Sequence, residues 1–195
     1  SIETLDLSAF DTENVTTMDA MFSGCKNLKT LDLSAFDTGN VTNMAGMFHT
    51  CINIKTLDLG NFDTSNVTSM TGMFYYCTSL ETLNLSGWNT LNVTNMSNMF
   101  RNCCVLTELD LSSFIIQNVE NTNYMFYDCH KLATIYVSKL WDASNVTNSN
   151  NMFYTCQTLV GSQGTAYNLN YIDKTYARVD DPTNGNPGYL TLKTV

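Results

Sequence analysis

Apolar residues along the first 160 positions fall into blocks that return every 26 residues. Cys25, Cys51, Cys77, Cys103 and Cys129 mark the period, and Cys156 arrives one residue late. The triplets Leu5-Asp6-Leu7, Leu31-Asp32-Leu33, Leu57-Asp58-Leu59, Leu83-Asn84-Leu85, Leu109-Asp110-Leu111 and Ile135-Tyr136-Val137 share one phase. Asn-Val pairs beginning at Asn14, Asn40, Asn66, Asn92, Asn118 and Asn145 share another. A fixed period of this size is the mark of a solenoid. One unit is too short to bury its own apolar face, so the coils must stack and share a core.

Within a unit the spacing changes. Thr30-Leu31-Asp32-Leu33-Ser34 alternates, which predicts a strand with leucines inward. From Asn40 the apolar residues Val41, Met44, Met47, Phe48 and Cys51 lie at helical offsets, which predicts a short helix. Asp37-Thr38-Gly39-Asn40 supplies polar side chains to cap its first amides. Phe10, Phe36, Phe62, Trp88, Phe114 and Trp141 follow the strands and are expected to fill the coil corners. The expected fold is an α/β repeat, a right-handed solenoid with one parallel strand and one short helix per coil. Its single sheet is built from strands near residues 4–7, 30–33, 56–59, 82–85, 108–111 and 134–137. Met18, Met44, Met70 and Met96 should be buried with the Phe and Cys ladders.

The repeat dissolves after Val160 into a stretch rich in glycine and asparagine, and the first proline is Pro182. We divide the chain into a six-coil array over residues 1–160 and a C-terminal cap over 161–195. A solenoid ends in an open core and an unpaired strand edge that need covering. Tyr189-Leu190-Thr191-Leu192 reads as a closing strand. The first repeat is entered in mid-unit at Ile2, so the chain is expected to be a piece of a larger protein.

The run Cys51-x-x-Ile54-x-x-Leu57-Asp58-Leu59-Gly60-x-Phe62-Asp63-Thr64-Ser65-Asn66-Val67-Thr68-x-Met70-x-x-Met73-Phe74 resembles the BspA-like leucine-rich repeat of bacterial surface proteins. The version it is similar to occurs in mycoplasma-type surface lipoproteins and Gram-positive wall proteins. The tail from Asp173 to Asp180 and from Asn186 to Thr191 is similar to the segment that closes such arrays. The resemblance implies a cell-surface location, a role in adhesion or host contact, and no catalytic residues. Repeats five and six depart from it: Thr122 and Ser149 stand for the first methionine, and Ile115-Ile116 for Asp-Thr.

Charge narrows the partners. Eighteen acidic against nine basic residues give a net charge of -9, which repels nucleic acid and anionic lipid heads. No stretch reaches the roughly 20 apolar residues of a membrane span, and the start lacks the basic and apolar segments of a signal peptide. Seven cysteines raise disulfides and metals. Their 26-residue ladder lacks the close pairs of a zinc site, and helices would hold neighbours on the order of 8–10 Å apart, too far to bridge. We therefore expect no metal, cofactor or catalytic site. Cys104 stands outside the ladder as the expected reactive thiol. His49 and His130 show no partner set for catalysis.

Two outward surfaces remain. Asp6, Asp32, Asp58, Asn84, Asp110 and Tyr136 form a column along the strands, at a spacing of about 4.8 Å. Adjacent carboxylates there repel by roughly 1 kcal/mol in water and need hydroxyls or cations around them. The second surface is the pair between Phe and Cys, which varies most between repeats: Ser23-Gly24, His49-Thr50, Tyr75-Tyr76, Arg101-Asn102, Tyr127-Asp128 and Tyr154-Thr155. The candidate contacts with a partner are Tyr75, Tyr76, Tyr127 and Tyr154 on that ridge, and Asp32, Asp58, Asp110 and Tyr136 on the strands. Ile115-Ile116 is a further candidate patch. The Asn-Val-Thr triplets read as turns, each asparagine bonding the neighbouring coil. The expected function is adhesion to a host or neighbouring-cell protein or glycan; the alternative is a spacer that displays other domains.

Overall fold

In the computed structural model, which describes residues 2–194, six parallel strands recur at the expected phase. They are β1 (Thr4–Leu5), β2 (Thr30–Leu31), β3 (Thr56–Asp58), β4 (Thr82–Asn84), β5 (Glu108–Leu111) and β6 (Thr134–Val137). A last strand, β7 (Leu190–Leu192), joins the edge of β6 in parallel. Registers are one repeat apart, Thr4 opposite Thr30 and Leu109 opposite Ile135. The strands do not form the single sheet expected. They pair as β1-β2, β3-β4 and β5-β6-β7. Continuity lies on the opposite side of the coil, where parallel bridges run from Thr17 through Asn43, Ser69, Asn95 and Asn121 to Asn148.

That opposite side holds no helix, against expectation. Residues 44–51 form a ribbon of turns. Met44, Gly46, Phe48 and Thr50 donate their amides to the next coil, at Ser69, Thr71, Met73 and Tyr75 carbonyls. Met47, His49 and Cys51 donate back three residues within the coil, and Ala45 donates to Asn43 Oδ1. Every amide of the segment is thus satisfied without an i→i−4 bond. Two facts exclude the helix. Positive φ recurs at Gly46 (59°) and Thr50 (63°), and at their equivalents in the other coils. The stacked rings Phe22, Phe48, Phe74, Phe100, Phe126 and Phe153 repeat at 5.4–5.6 Å, whereas packed helices need about 8–10 Å between axes. The apolar spacing still points inward: Met18, Met44, Met70 and Met96 are all buried.

The capping role assigned to Asp37-Thr38-Gly39-Asn40 falls with the helix. Thr12, Thr38, Thr64 and Thr90 are buried, and each hydroxyl donates to a carbonyl of the next coil at 2.8–3.0 Å. Ile116 takes the same buried place in the fifth coil, so Ile115-Ile116 is no exposed patch. The asparagines do bond the neighbouring coil. Asn40, Asn66, Asn92, Asn118 and Asn145 donate Nδ2 to carbonyls of the preceding one at 2.7–2.8 Å.

The cysteine ladder is likewise bonded from coil to coil. Cys51, Cys77, Cys103, Cys129 and Cys156 donate Sγ–H to the carbonyls of Phe22, Phe48, Phe74, Phe100 and Phe126 at 3.0–3.3 Å. With no helix in these coils, helix spacing is not what separates the thiols. Each of these five thiols points to a carbonyl of the preceding coil, and all seven cysteines are free. Corner aromatics fill as expected from Phe36 to Trp141, with Trp88 Nε1 donating to Leu59 O at 2.9 Å. Phe10 is the exception, 55% exposed, because no described coil lies against its outer side.

Residues after 160 fold over the last coil. Phe153 gives its amide to Ile172, in place of a further coil, and Tyr189 meets the end of the phenylalanine stack edge-on at 5.3 Å. Buried Asp180 accepts from the amides of Gln163, Thr165 and Gly188 and from the Thr165 hydroxyl. A Cβ on Gly161 would collide with the Gly188 carbonyl, so this crossing tolerates no side chain.

Candidate functional site

Met47, Phe48 and Cys51, with their equivalents, point into the core, and the residue after each stacked phenylalanine lies between them on the outer side of the turn ribbon. Ring spacing in the core therefore sets the spacing outside. His49 stacks on Tyr75 at 4.9 Å and 3°, and Tyr127 stacks on Tyr154 at 5.2 Å. Arg101 fills the gap between these pairs. Its guanidinium lies 5.2 Å from the Tyr75 ring, 4.7 Å from Tyr127 and 5.1 Å from Tyr124. Nη1 donates to Asn98 Oδ1, while Nε is buried without a partner. Five planar groups from five coils thus form one continuous ladder.

Of the predicted ridge, Tyr75, Tyr127 and Tyr154 are brought together in this ladder, half-buried. Tyr76 stands beside it, exposed and edge-on to Tyr75 at 5.0 Å. His49 and Arg101 of this ladder, and Tyr124 flanking it edge-on to Tyr127, are not among the contacts expected from the sequence. The period placed His49 and Arg101 in register with the tyrosines, and choosing only the tyrosines of that variable pair as contacts left them out. Arg101, Tyr124, Tyr127, Asn151 and Tyr154 line a hollow of about 510 Å³.

The strand-face candidates have a different character. Asp32, Asp58 and Asp110 each accept, through Oδ1, the amide two residues on, at Ser34, Gly60 and Ser112. These are closed local turns. Asn84 donates to Asp58 at 2.7 Å, and Lys193 pairs with Asp110. Backbone and hydroxyl bonds from Ser34 hold the Asp32 carboxyl below its ordinary range. At Asp110, burial pushes the pKa up, but bonds from Lys193 and Ser112 outweigh it and the net shift is down. Tyr136 sits half-buried on β6 between Asp110 and Thr191. Asp32, Asp58 and Asn84 of this column line a groove of about 510 Å³ across β1 to β4 together with Leu5, Leu31 and the strand threonines, and Leu5 is exposed there rather than turned inward as expected.

A third cluster was not foreseen. Cys104 and His130 occupy one repeat position in adjacent coils, and Asp128 lies beside them. One ligand atom from each falls within 4.8 Å of the others. His130 Nδ1 is 3.4 Å from Asp128 Oδ1, so this histidine does have a partner. Burial and the Asp128 charge push the Cys104 thiol up.

No helix among the described residues is long and apolar enough to cross a membrane. No curated protein matches the chain. Residues 1–103 and 53–167 each match the family described as Mycoplasma protein of unknown function, DUF285. The two segments overlap and together span the whole repeat array, and the chain belongs to that family.

Proposed function

We propose that this chain is a non-catalytic interaction module of a bacterial cell-surface protein of the BspA-like leucine-rich kind, and that it holds a protein or glycan partner along the planar ladder. The observation that carries this reading is the ladder itself, His49-Tyr75-Arg101-Tyr127-Tyr154. Stacking already occupies the ring faces, so a partner meets ring edges, phenol hydroxyls and guanidinium nitrogens. Those groups are ordered before contact, which lowers the entropic cost of binding. Tyrosine and arginine are also the residues on which interface energy concentrates. A repeat surface of this length engages an extended partner over several coils.

The strand column offers a partner less, since one oxygen of each of Asp32 and Asp58 is already taken up by its own turn. The test is a host-protein and glycan array probed with the native chain, with the Tyr75→Ala/Tyr127→Ala pair and with Asp32→Asn/Asp58→Asn. Binding lost in the tyrosine pair and kept in the aspartate pair supports the ridge. Loss only in the aspartate pair moves the site to the strand groove. No binding above background, while a longer protein carrying this chain still attaches cells, makes the array a display spacer.

A further inference from the structure

We propose that Cys104, Asp128 and His130 bind one divalent ion of the zinc class, clipping the fourth and fifth coils together. The donor set defines the ion: a thiolate and an imidazole favour zinc-like metals over calcium or magnesium, which take oxygen ligands.

The geometry fits with small movements. Around a tetrahedral ion with bonds near 2.1 Å, two N or O ligands lie about 3.4 Å apart. His130 Nδ1 and Asp128 Oδ1 stand 3.4 Å apart, long for a hydrogen bond and right for two ligands of one ion. The sulfur completes a triad within 4.8 Å, and contraction requires only rotation of half-buried Cys104 and exposed His130. Three protein ligands leave a fourth position for water.

The carboxylate is already oriented. Asn102 Nδ2 donates to Asp128 Oδ2 at 2.7 Å, and the Thr155 hydroxyl stands 3.2 Å from Oδ1, with its single proton shared between that oxygen and Tyr154 O at 2.6 Å. Asn102, Asp128 and Thr155 share one repeat position in three successive coils, so the array's own stacking builds this outer shell. Elsewhere the positions equivalent to Cys104 and His130 are Lys26, Ile52, Thr78 and Gln157, none of which makes a comparable set. The thiol now donates to Asn102 O at 3.3 Å; on binding its proton leaves to solvent and the sulfur turns to the metal as thiolate.

The test titrates the reduced, metal-free chain with cobalt(II), then displaces it with zinc. One ion per chain is expected, with a thiolate-to-cobalt charge-transfer band. Cys104→Ser abolishes that band. Asp128→Asn and His130→Ala each weaken binding strongly. Zinc should also shield Cys104 of the native chain from alkylation, read by peptide mass, which needs no variant to fold. A band surviving in Cys104→Ser would assign the ion to Cys25, and that result, or an absence of any thiolate band, overturns the proposal. So does affinity unchanged in both Asp128→Asn and His130→Ala.

Discussion

The ring of Phe48 lies parallel to that of Phe74, 5.6 Å away and 2° from coplanar orientation. A second ring, Phe22, covers its other face at the same distance. Phe48→Ala therefore removes two stacking contacts and opens a cavity shared by three coils. It should cost about 3–5 kcal/mol, and Met47→Ala about 2–5 kcal/mol. Half-buried Tyr75→Ala should cost far less. Urea unfolding of the three variants decides, and equal losses would make the tyrosine ladder a structural element.

Thr50 holds φ at 63°, a left-handed conformation that a β-branched residue rarely adopts, where Gly24 stands in the preceding coil. Thr50→Gly should stabilise the fold by about 1 kcal/mol, strain relief exceeding the entropy of the new glycine. A lowered urea midpoint would mean that the threonine side chain contributes more than its backbone costs.

Thiol accessibility should divide the cysteines into two classes. Cys25 and Cys104 are half-buried, the other five buried. Burial pushes Cys51 up to about 12 and Cys103 and Cys129 well above the ordinary thiol range. Metal-free native chain should label at Cys25 and Cys104 first, with the rest reacting only on unfolding. Rapid uniform labelling would contradict the inward thiol ladder.

Asp180 ties the tail to the last coil and should make that attachment acid-sensitive. Burial pushes its carboxyl up, yet bonds from Thr165, Gln163 and Gly188 outweigh this and hold the folded pKa below the ordinary value. A depressed folded pKa gives stability that is complete above the unfolded value of about 3.9 and lost as pH falls through the folded one. Thermal unfolding followed from pH 6 downward should show this loss. Asp180→Asn should be less stable at neutral pH by about 2–3 kcal/mol, because an amide cannot accept all four donors. Its remaining pH dependence should be shallower, and an unchanged acid profile would remove Asp180 from that role.

Periodicity was enough to read the solenoid, the strand phases, the inward methionines and the asparagine bonds, because each depends only on which residues share a position in every coil. The same period, pursued further, contained the rows His49-Tyr75-Arg101-Tyr127-Tyr154 and Cys104-His130. It did not contain the spacing between coils. The pattern Val41, Met44, Met47, Phe48, Cys51 suits a helix or a turn ribbon equally, since both turn those residues to one side. Tertiary stacking decided between them: rings 5.6 Å apart leave no room for a helix in each coil, and the amides a helix would have used internally bond the next coil instead. That close spacing also lets Arg101 lie between tyrosines and brings Cys104 to Asp128 and His130, contacts made across coils that no single repeat contains.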